Sequence, residues 1–209
     1  MKLAVFGASG RTGRLVVEQA LAAGHEVVAF VRDPAKLPLR HERLRIVPGD
    51  VTDLDAVRRA IAGVDAVIST IAPSRGGPKD VVARGTATIV AAMGETGVRR
   101  IVISSGAGVP DPNDPPSVGA AVIRALLRVL AGPVLADSAK AVALLRASDR
   151  DWTVIRAPFL VDGPRTGRYR RGYFGAGFGA RISRADLAEA LLAAVDDQST
   201  VGSAPIVAW

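Results

Sequence analysis

Cysteine is absent from this chain, and histidine occurs only as His25 and His41. The first absence removes disulfide staples, thiolate nucleophiles and most zinc sites. The second argues against a histidine metal site or a Ser-His-Asp arrangement, so no metal is expected. Aromatic residues make up only 4% of the sequence, so the core must be built from Ala, Val, Leu and Ile. No apolar run reaches the roughly 20 residues of a membrane span. The short run in MKLAVFGASG meets a glycine turn after Phe6, where a signal peptide needs a longer apolar region and a cleavage site. A soluble, cytoplasmic protein without a membrane partner is expected.

What is present points to one medium-sized α/β domain over residues 1–209, with a small substrate-side region at about 157–182. The net charge of +7 and the pI of about 10.7 invite a nucleic-acid partner. The excess, however, is mostly Arg dispersed along the chain, without a basic run or aromatics for base stacking. A small-molecule partner is expected in place of nucleic acid, with the chain a monomer or homodimer.

Short apolar runs alternate with helical patterns, the order that produces βαβ units and a parallel sheet. Strands are expected at Lys2–Phe6, His25–Val31, Leu44–Val47, Val64–Thr70, Arg100–Ser105 and Trp152–Arg156. Between them lie helices at Arg14–Ala23, Leu54–Ala62 with Asp53 as cap, and Lys79–Thr96. After a proline-rich loop, a helix-rich stretch is expected to break at Gly132-Pro133. Its apolar part, Val118–Leu130, suits a buried core, a substrate lid or a dimer face. Asp162–Gly179 reads as a hairpin or cover, Ser183 with Asp186 as a capping-box-like helix start, and Ala204–Ala208 as a last short strand. Right-handed crossovers joining such strands give a doubly wound, mostly parallel sheet in three α/β/α layers, the Rossmann fold.

The most informative segment is Gly7-Ala8-Ser9-Gly10-Arg11-Thr12-Gly13, between the first strand and the first helix. Glycines there let the backbone turn tightly and let a pyrophosphate approach the helix N-terminus, whose free N–H groups and dipole favour negative charge. Thr12 can add a hydroxyl donor, and Gly13 permits close packing of helix on strand. At the end of the second strand, where NAD-selective sites carry an acidic residue for the ribose 2′-hydroxyl, this chain has Arg32. Asp33-Pro34 follows as a helix start. Arg32, assisted by Arg11, is therefore the candidate partner of a 2′-phosphate, and NADP(H) is favoured over NAD(H). Three further strand ends should line the same crevice. They are Asp50-Val51 (an adenine contact, or for Asp50 a turn cap), Thr70-Ile71-Ala72, and Ser104-Ser105-Gly106 nearest the nicotinamide.

Taken together, GASGRTG, VRDPAKL, GDVTD, GVDAVISTIA, GVRRIVISSGAG, LRASDRDWTVIRAP and ISRADLAEAL resemble the atypical short-chain dehydrogenases. The resemblance runs nearly end to end and points to the NAD(P)H-binding group of flavin reductase/biliverdin-IXβ reductase and NmrA-like proteins, with DGPRTGRY on the flavin reductase side. It implies cofactor contacts from Gly7 through Gly13, Arg32 at the 2′-phosphate, and Asp50 and Val51 at the adenine. It further implies Ile71, Ala72, Ser104, Ser105 and Gly106 around the ribose and nicotinamide, with Pro158 nearby.

The catalytic pattern departs from that group. No Tyr-x-x-x-Lys occurs, the only tyrosines being Tyr169 and Tyr173. The flavin reductase serine position falls on Gly106, beside Ser105, and the histidine position near Val142. Ser105 and Lys140 remain as candidate catalytic residues, each able to stabilise developing negative charge. Two readings stand at this point: an NADPH-dependent reductase that passes hydride to a flavin, quinone or similar conjugated acceptor, and an NmrA-type sensor that binds NADP(H) without turnover.

Overall fold

The computed structural model describes residues 1–74, 76–116, 118–174 and 178–209, and for 118–131 the backbone without the side chains. In chain order the elements are β1 (Lys2–Phe6), α1 (Arg11–Ala22), β2 (Glu26–Val31), β3 (Leu44–Pro48), α2 (Leu54–Ile61), β4 (Ala66–Ser69), α3 (Val81–Thr96) and β5 (Arg100–Gly106). They continue with α4 (Val118–Ala147), β6 (Asp151–Ala157), β7 (Phe159–Val161), β8 (Arg170–Gly172), β9 (Arg181–Ser183), α5 (Arg184–Asp196) and β10 (Ile206–Ala208).

Eight strands form one sheet in the order β3-β2-β1-β4-β5-β6-β10-β8. Its pairings are parallel except that β8 lies antiparallel to β10. Strand order reverses between β1 and β4, which opens a crevice at the carboxyl ends of the strands. Alternation along β1 shows how the sequence makes two cores. Leu3 and Val5 pack with residues of α1 and α5, whereas Ala4 and Phe6 pack with residues of α2, α3 and α4. Every position of β4 is buried, as a strand covered on both faces requires. Fully buried side chains such as Phe6, Ile68 and Ile101 each contribute about 1.5–3 kcal/mol of transfer free energy.

Helix starts are satisfied by specific acceptors. Asp53 Oδ1 accepts from the Ala56 amide at 3.1 Å to start α2, and Ser183 Oγ from the Asp186 amide at 2.9 Å to start α5. The start of α3 is held from a distance: Asp137 of α4 accepts from the Val82 and Ala83 amides at 2.9 and 3.1 Å.

Four expectations need correction. The helix does not break at Gly132-Pro133, because α4 runs through Pro133. Proline costs one helical hydrogen bond there, but burial of Ala141, Val142 and Leu145 and the Asp137 bonds to α3 hold the following turns in place. Asp33-Pro34 opens a single 3-10 turn, Pro34–Lys36, in place of a helix, with Asp33 accepting from the Ala35 amide at 3.0 Å. No hairpin forms among the described residues of 162–179; β7 pairs in parallel with β9, and β8 joins the main sheet through β10. Finally, Asp186 does not complete a capping box, because its carboxylate is engaged by Thr166, Gly167 and Trp209. The side chains of Val118–Leu130, read as core, lid or dimer face, lie outside the described residues. Among the described residues no helix is long and apolar enough to cross a membrane.

Candidate functional site

The glycine loop sits at the carboxyl end of β1, and each of its three glycines has a different reason to be glycine. Gly7 has φ +75°, and a Cβ there would stand 2.9 Å from the Thr70 backbone and hydroxyl at the end of β4. A Cβ on Gly13 would collide with the Gly7 carbonyl, so Gly13 lets α1 close onto the turn. Gly10 differs. Its Cβ would meet only the Gly7 carbonyl oxygen, at 3.1 Å, so its other side is open. The turn is locked by the Gly10 amide donating to Gly7 O at 2.9 Å and by the Thr70 hydroxyl donating to Phe6 O at 3.1 Å.

Beyond that turn, α1 begins at Gly10 with no side-chain cap and no acidic residue in its first turn. The starts of α2, α3 and α5 all carry a carboxylate or hydroxyl. The first amides of α1 and the positive end of its dipole are thus left for an anion. Arg11 is exposed beside them, and Ser9 and Thr12 are half-buried. An open glycine and an uncapped helix start fit a dinucleotide pyrophosphate.

Next along the edge, Arg32 follows β2, exposed and without an ion pair among the described residues. Asp50 caps its own turn, its Oδ1 accepting from the Thr52 amide at 2.8 Å and the Thr52 hydroxyl at 2.7 Å. Those bonds, aided by the positive charges of Arg32 and Arg84, hold the Asp50 carboxyl below its ordinary range. Val51 and Ile71 meet over α3: a Cβ on Gly85 would lie 3.0 Å from Val51 and 3.3 Å from Ile71. The structure therefore brings together Arg32, Asp50, Val51 and Ile71, while Ala72 is exposed on the following loop.

Two strands over from β1 lies the end of β5, about 10 Å away at the usual strand spacing. Ser104, Ser105 and Gly106 pair in register with Ile155, Arg156 and Ala157. The Ser105 hydroxyl is buried and has no hydrogen-bond partner among the described residues. Leu135 of α4 faces Gly106, 3.7 Å from where a Cβ would stand. Lys140 is placed elsewhere, exposed on a cleft of about 320 Å³ that it shares with Lys79, Asp80, Pro133, Ala136 and Asp137. Val142 is buried in the core with Phe6, Ile103 and Leu145. A second cavity, of about 330 Å³, opens at the opposite edge of the sheet near Arg99, Arg100 and Asp151.

After β6 the chain passes half-buried Pro158 and reaches Phe159, which is 64% exposed. Its neighbour in register on β9 is Arg181, also exposed. An aromatic face and a guanidinium thus stand side by side at the rim.

The chain matches the family described as NAD(P)H-binding over residues 7–198. The chain belongs to the NAD(P)H-binding family. Its match begins at Gly7 and takes in the whole crevice just described. Among solved structures, a Veillonella parvula short-chain dehydrogenase/reductase in complex with NADP is 21% identical, with a TM-score of 0.82 over 100% of this chain and 94% of that one. The anaerobillin reductase ChuY of Escherichia coli is 22% identical, with a TM-score of 0.81 over 100% and 97%. At such identities these likenesses establish the fold alone, a Rossmann-type α/β fold. A Streptomyces 3-diazoavenalumate denitrifying reductase is 33% identical over 189 residues, covering 82% of this chain and 60% of that protein. The chain spans less than two thirds of the length of that relative, and about a third of the cinnamoyl-CoA reductase 1 of Oryza sativa, at 35%.

Residues that sequence reasoning missed in this NAD(P)H-binding chain lie mostly after β6 and in the loop after β5. Phe159 and Arg181 each lie one residue outside a quoted motif, after Pro158 and before Ile182, and only the β7–β9 pairing makes them neighbours. Arg156 carried a readable signal, a charged residue inside the apolar run Trp152–Ala157, which can be buried only with a partner. That partner, Asp114, was hidden in the proline-rich loop.

Proposed function

We propose that the chain is an NADPH-dependent reductase that passes hydride to a flavin, quinone or similar conjugated acceptor. The observation that carries this reading is the alignment along one sheet edge of an uncapped α1 start at β1 and a buried Ser105 hydroxyl at β5 that has no partner among the described residues. A buried polar group without a partner costs about 1–3 kcal/mol, so a hydroxyl left in that state at a strand end is best understood as waiting for a ligand group.

In this reading the amides of Gly10 to Gly13 and the α1 dipole hold the pyrophosphate, and Arg32 pairs with the 2′-phosphate. Val51 and Ile71 flank the adenine, and Ser104 to Gly106 with Pro158 surround the nicotinamide ribose and ring. When bound, the reduced nicotinamide supplies the hydride. Ser105 donates a hydrogen bond to a developing negative charge, and Leu135 keeps water from that side. Phe159 offers a flat acceptor a surface to stack on, and Arg181 offers an anionic substituent a countercharge. Lys140 stands away from Ser105, so a proton reaches the reduced acceptor from water.

The alternative is an NADP(H) sensor, and one observation favours it: among the described residues no acid stands ready beside Ser105. Tyr169 is held by burial above its ordinary pKa, with Glu189 and Asp186 acting in the same direction, and Tyr173 lies against Arg156. The deciding experiment follows NADPH and NADH consumption against FMN, riboflavin, quinones and biliverdin. Turnover with NADPH preferred is expected. Saturable NADPH binding with no turnover on any acceptor would replace the reductase by the sensor.

A further inference from the structure

Beneath the acceptor side lies a buried ion pair that no step of the chemistry uses. Arg156 is 0% exposed, and the Asp114 side chain only 4%. The fork is bidentate: Arg156 donates to Asp114 Oδ1 at 2.6 Å and to Oδ2 at 2.7 Å. Two further N–H groups donate to the Val109 carbonyl at 2.9 Å and the Ala204 carbonyl at 2.7 Å. Asp114 in turn accepts from the amides of Asp111 at 3.0 Å and Phe174 at 3.2 Å. The guanidinium carbon sits 5.9 Å from the centre of the Tyr173 ring.

Such a pair is a poor source of stability, since desolvating two charges consumes most of what their attraction returns. What it does supply is direction, because a planar fork holds its carboxylate in one orientation only. Four stretches of chain converge on this one: β6, the loop after β5, the residues after β8, and the approach to β10. Arg156 stands in register with Ser105, and the loop it holds is tied by Val109 N to Gly106 O and by Ala107 N to Ala157 O. The walls on both sides of Ser105 and Gly106 therefore hang from one pair of side chains.

We propose that Asp114 and Arg156 are positioning residues that fix the acceptor-side walls, the loop 107–114 and the residues 173–174, before an acceptor arrives. The proposal rests on reading this edge as a reductase site. Preorganised walls show in how the acceptor is bound, so the pair acts on acceptor KM while leaving cofactor affinity alone.

The test uses the full chain with Asp114→Asn, which keeps the shape but removes the charge and presents an N–H to the guanidinium, and with Arg156→Lys, which keeps the charge but loses the fork. Acceptor KM is expected to rise about 10-fold or more in both, with kcat changed less than about 3-fold and NADPH Kd unchanged. A loss of thermal stability with KM unmoved overturns the proposal and leaves the pair merely structural. Equal loss of NADPH and acceptor binding overturns it too. Hydrogen exchange on the unmodified protein keeps the test open if the variants fail to fold: the Phe174 amide should be protected as strongly as that of Ala107 in the strand-end ladder, and free exchange at Phe174 contradicts a closed clasp. A wild-type protein without turnover removes the reductase reading, a result distinct from an unprotected Phe174.

Discussion

At the scale of single residues, the three glycines of the first turn make separable demands. Gly10→Val extends a side chain into the open side of the turn, where the pyrophosphate is proposed to lie. It should abolish NADPH binding with little change in melting temperature. Gly13→Val pushes against the Gly7 carbonyl and the Thr70 hydroxyl inside the fold, so it should cost about 1–3 kcal/mol of stability or more, read by denaturant unfolding. Loss of stability in both variants alike contradicts the distinction. Arg32→Asp removes a charge-assisted contact and should weaken NADPH binding about 10–100-fold while leaving NADH within a few-fold. Equal losses for both cofactors remove Arg32 from the 2′-phosphate. The glycine turn was legible because its position after an apolar strand gives it meaning. Lys140 was not: helical periodicity alone does not tell that α4 turns it toward Lys79 and turns Leu135 toward Gly106.

At the scale of elements, local signals located β1 to β6 and most helix starts to within a few residues, since β1, β2, β4, β5 and β6 are largely buried and read as apolar runs. The signals failed where distant contacts decide. Pro133 would end an isolated helix, yet α4 continues because its later turns are packed against α3 and the sheet. The link between α3 and α4 is itself testable. Asp137→Ala leaves the Val82 and Ala83 amides without their acceptor and should destabilise the fold by about 1–3 kcal/mol, with NADPH affinity retained. An unchanged unfolding midpoint would show that water serves α3 equally well. The segment after β6 was the least legible, because β7, β8 and β9 are three residues each and take their pairing from partners far along the chain.

At the scale of the whole molecule, two buried carboxylates fasten the segment between β7 and β9 to the Rossmann frame. Asp114 holds the residues after β8. Asp186 accepts from the Thr166 amide at 2.6 Å, the Gly167 amide at 3.0 Å and the Trp209 indole at 2.7 Å. Burial alone would raise the pKa of each, but the bonds from Trp209, Gly167 and Thr166 at Asp186, and from Arg156, Phe174 and Asp111 at Asp114, outweigh it and hold both low. A carboxylate with a lowered folded-state pKa adds stability above its unfolded value, near 4, and loses that contribution as pH falls through the folded value. The fold should therefore keep its stability down to about pH 4 and weaken below it. In Asp186→Asn part of that acid dependence should vanish, while stability at neutral pH falls. A variant with the wild-type acid profile contradicts the role given to Asp186.

The same frame carries the functional claim, that this crevice holds NADP(H). It is tested most directly by titrating the purified protein with NADPH and with NADH, following nicotinamide fluorescence or heat. Saturable binding of both is predicted, with NADPH about 10-fold tighter or more, as expected from Arg32 at the 2′-phosphate. No saturable binding of either cofactor would contradict the assignment of the glycine loop and of everything built along that edge of the sheet.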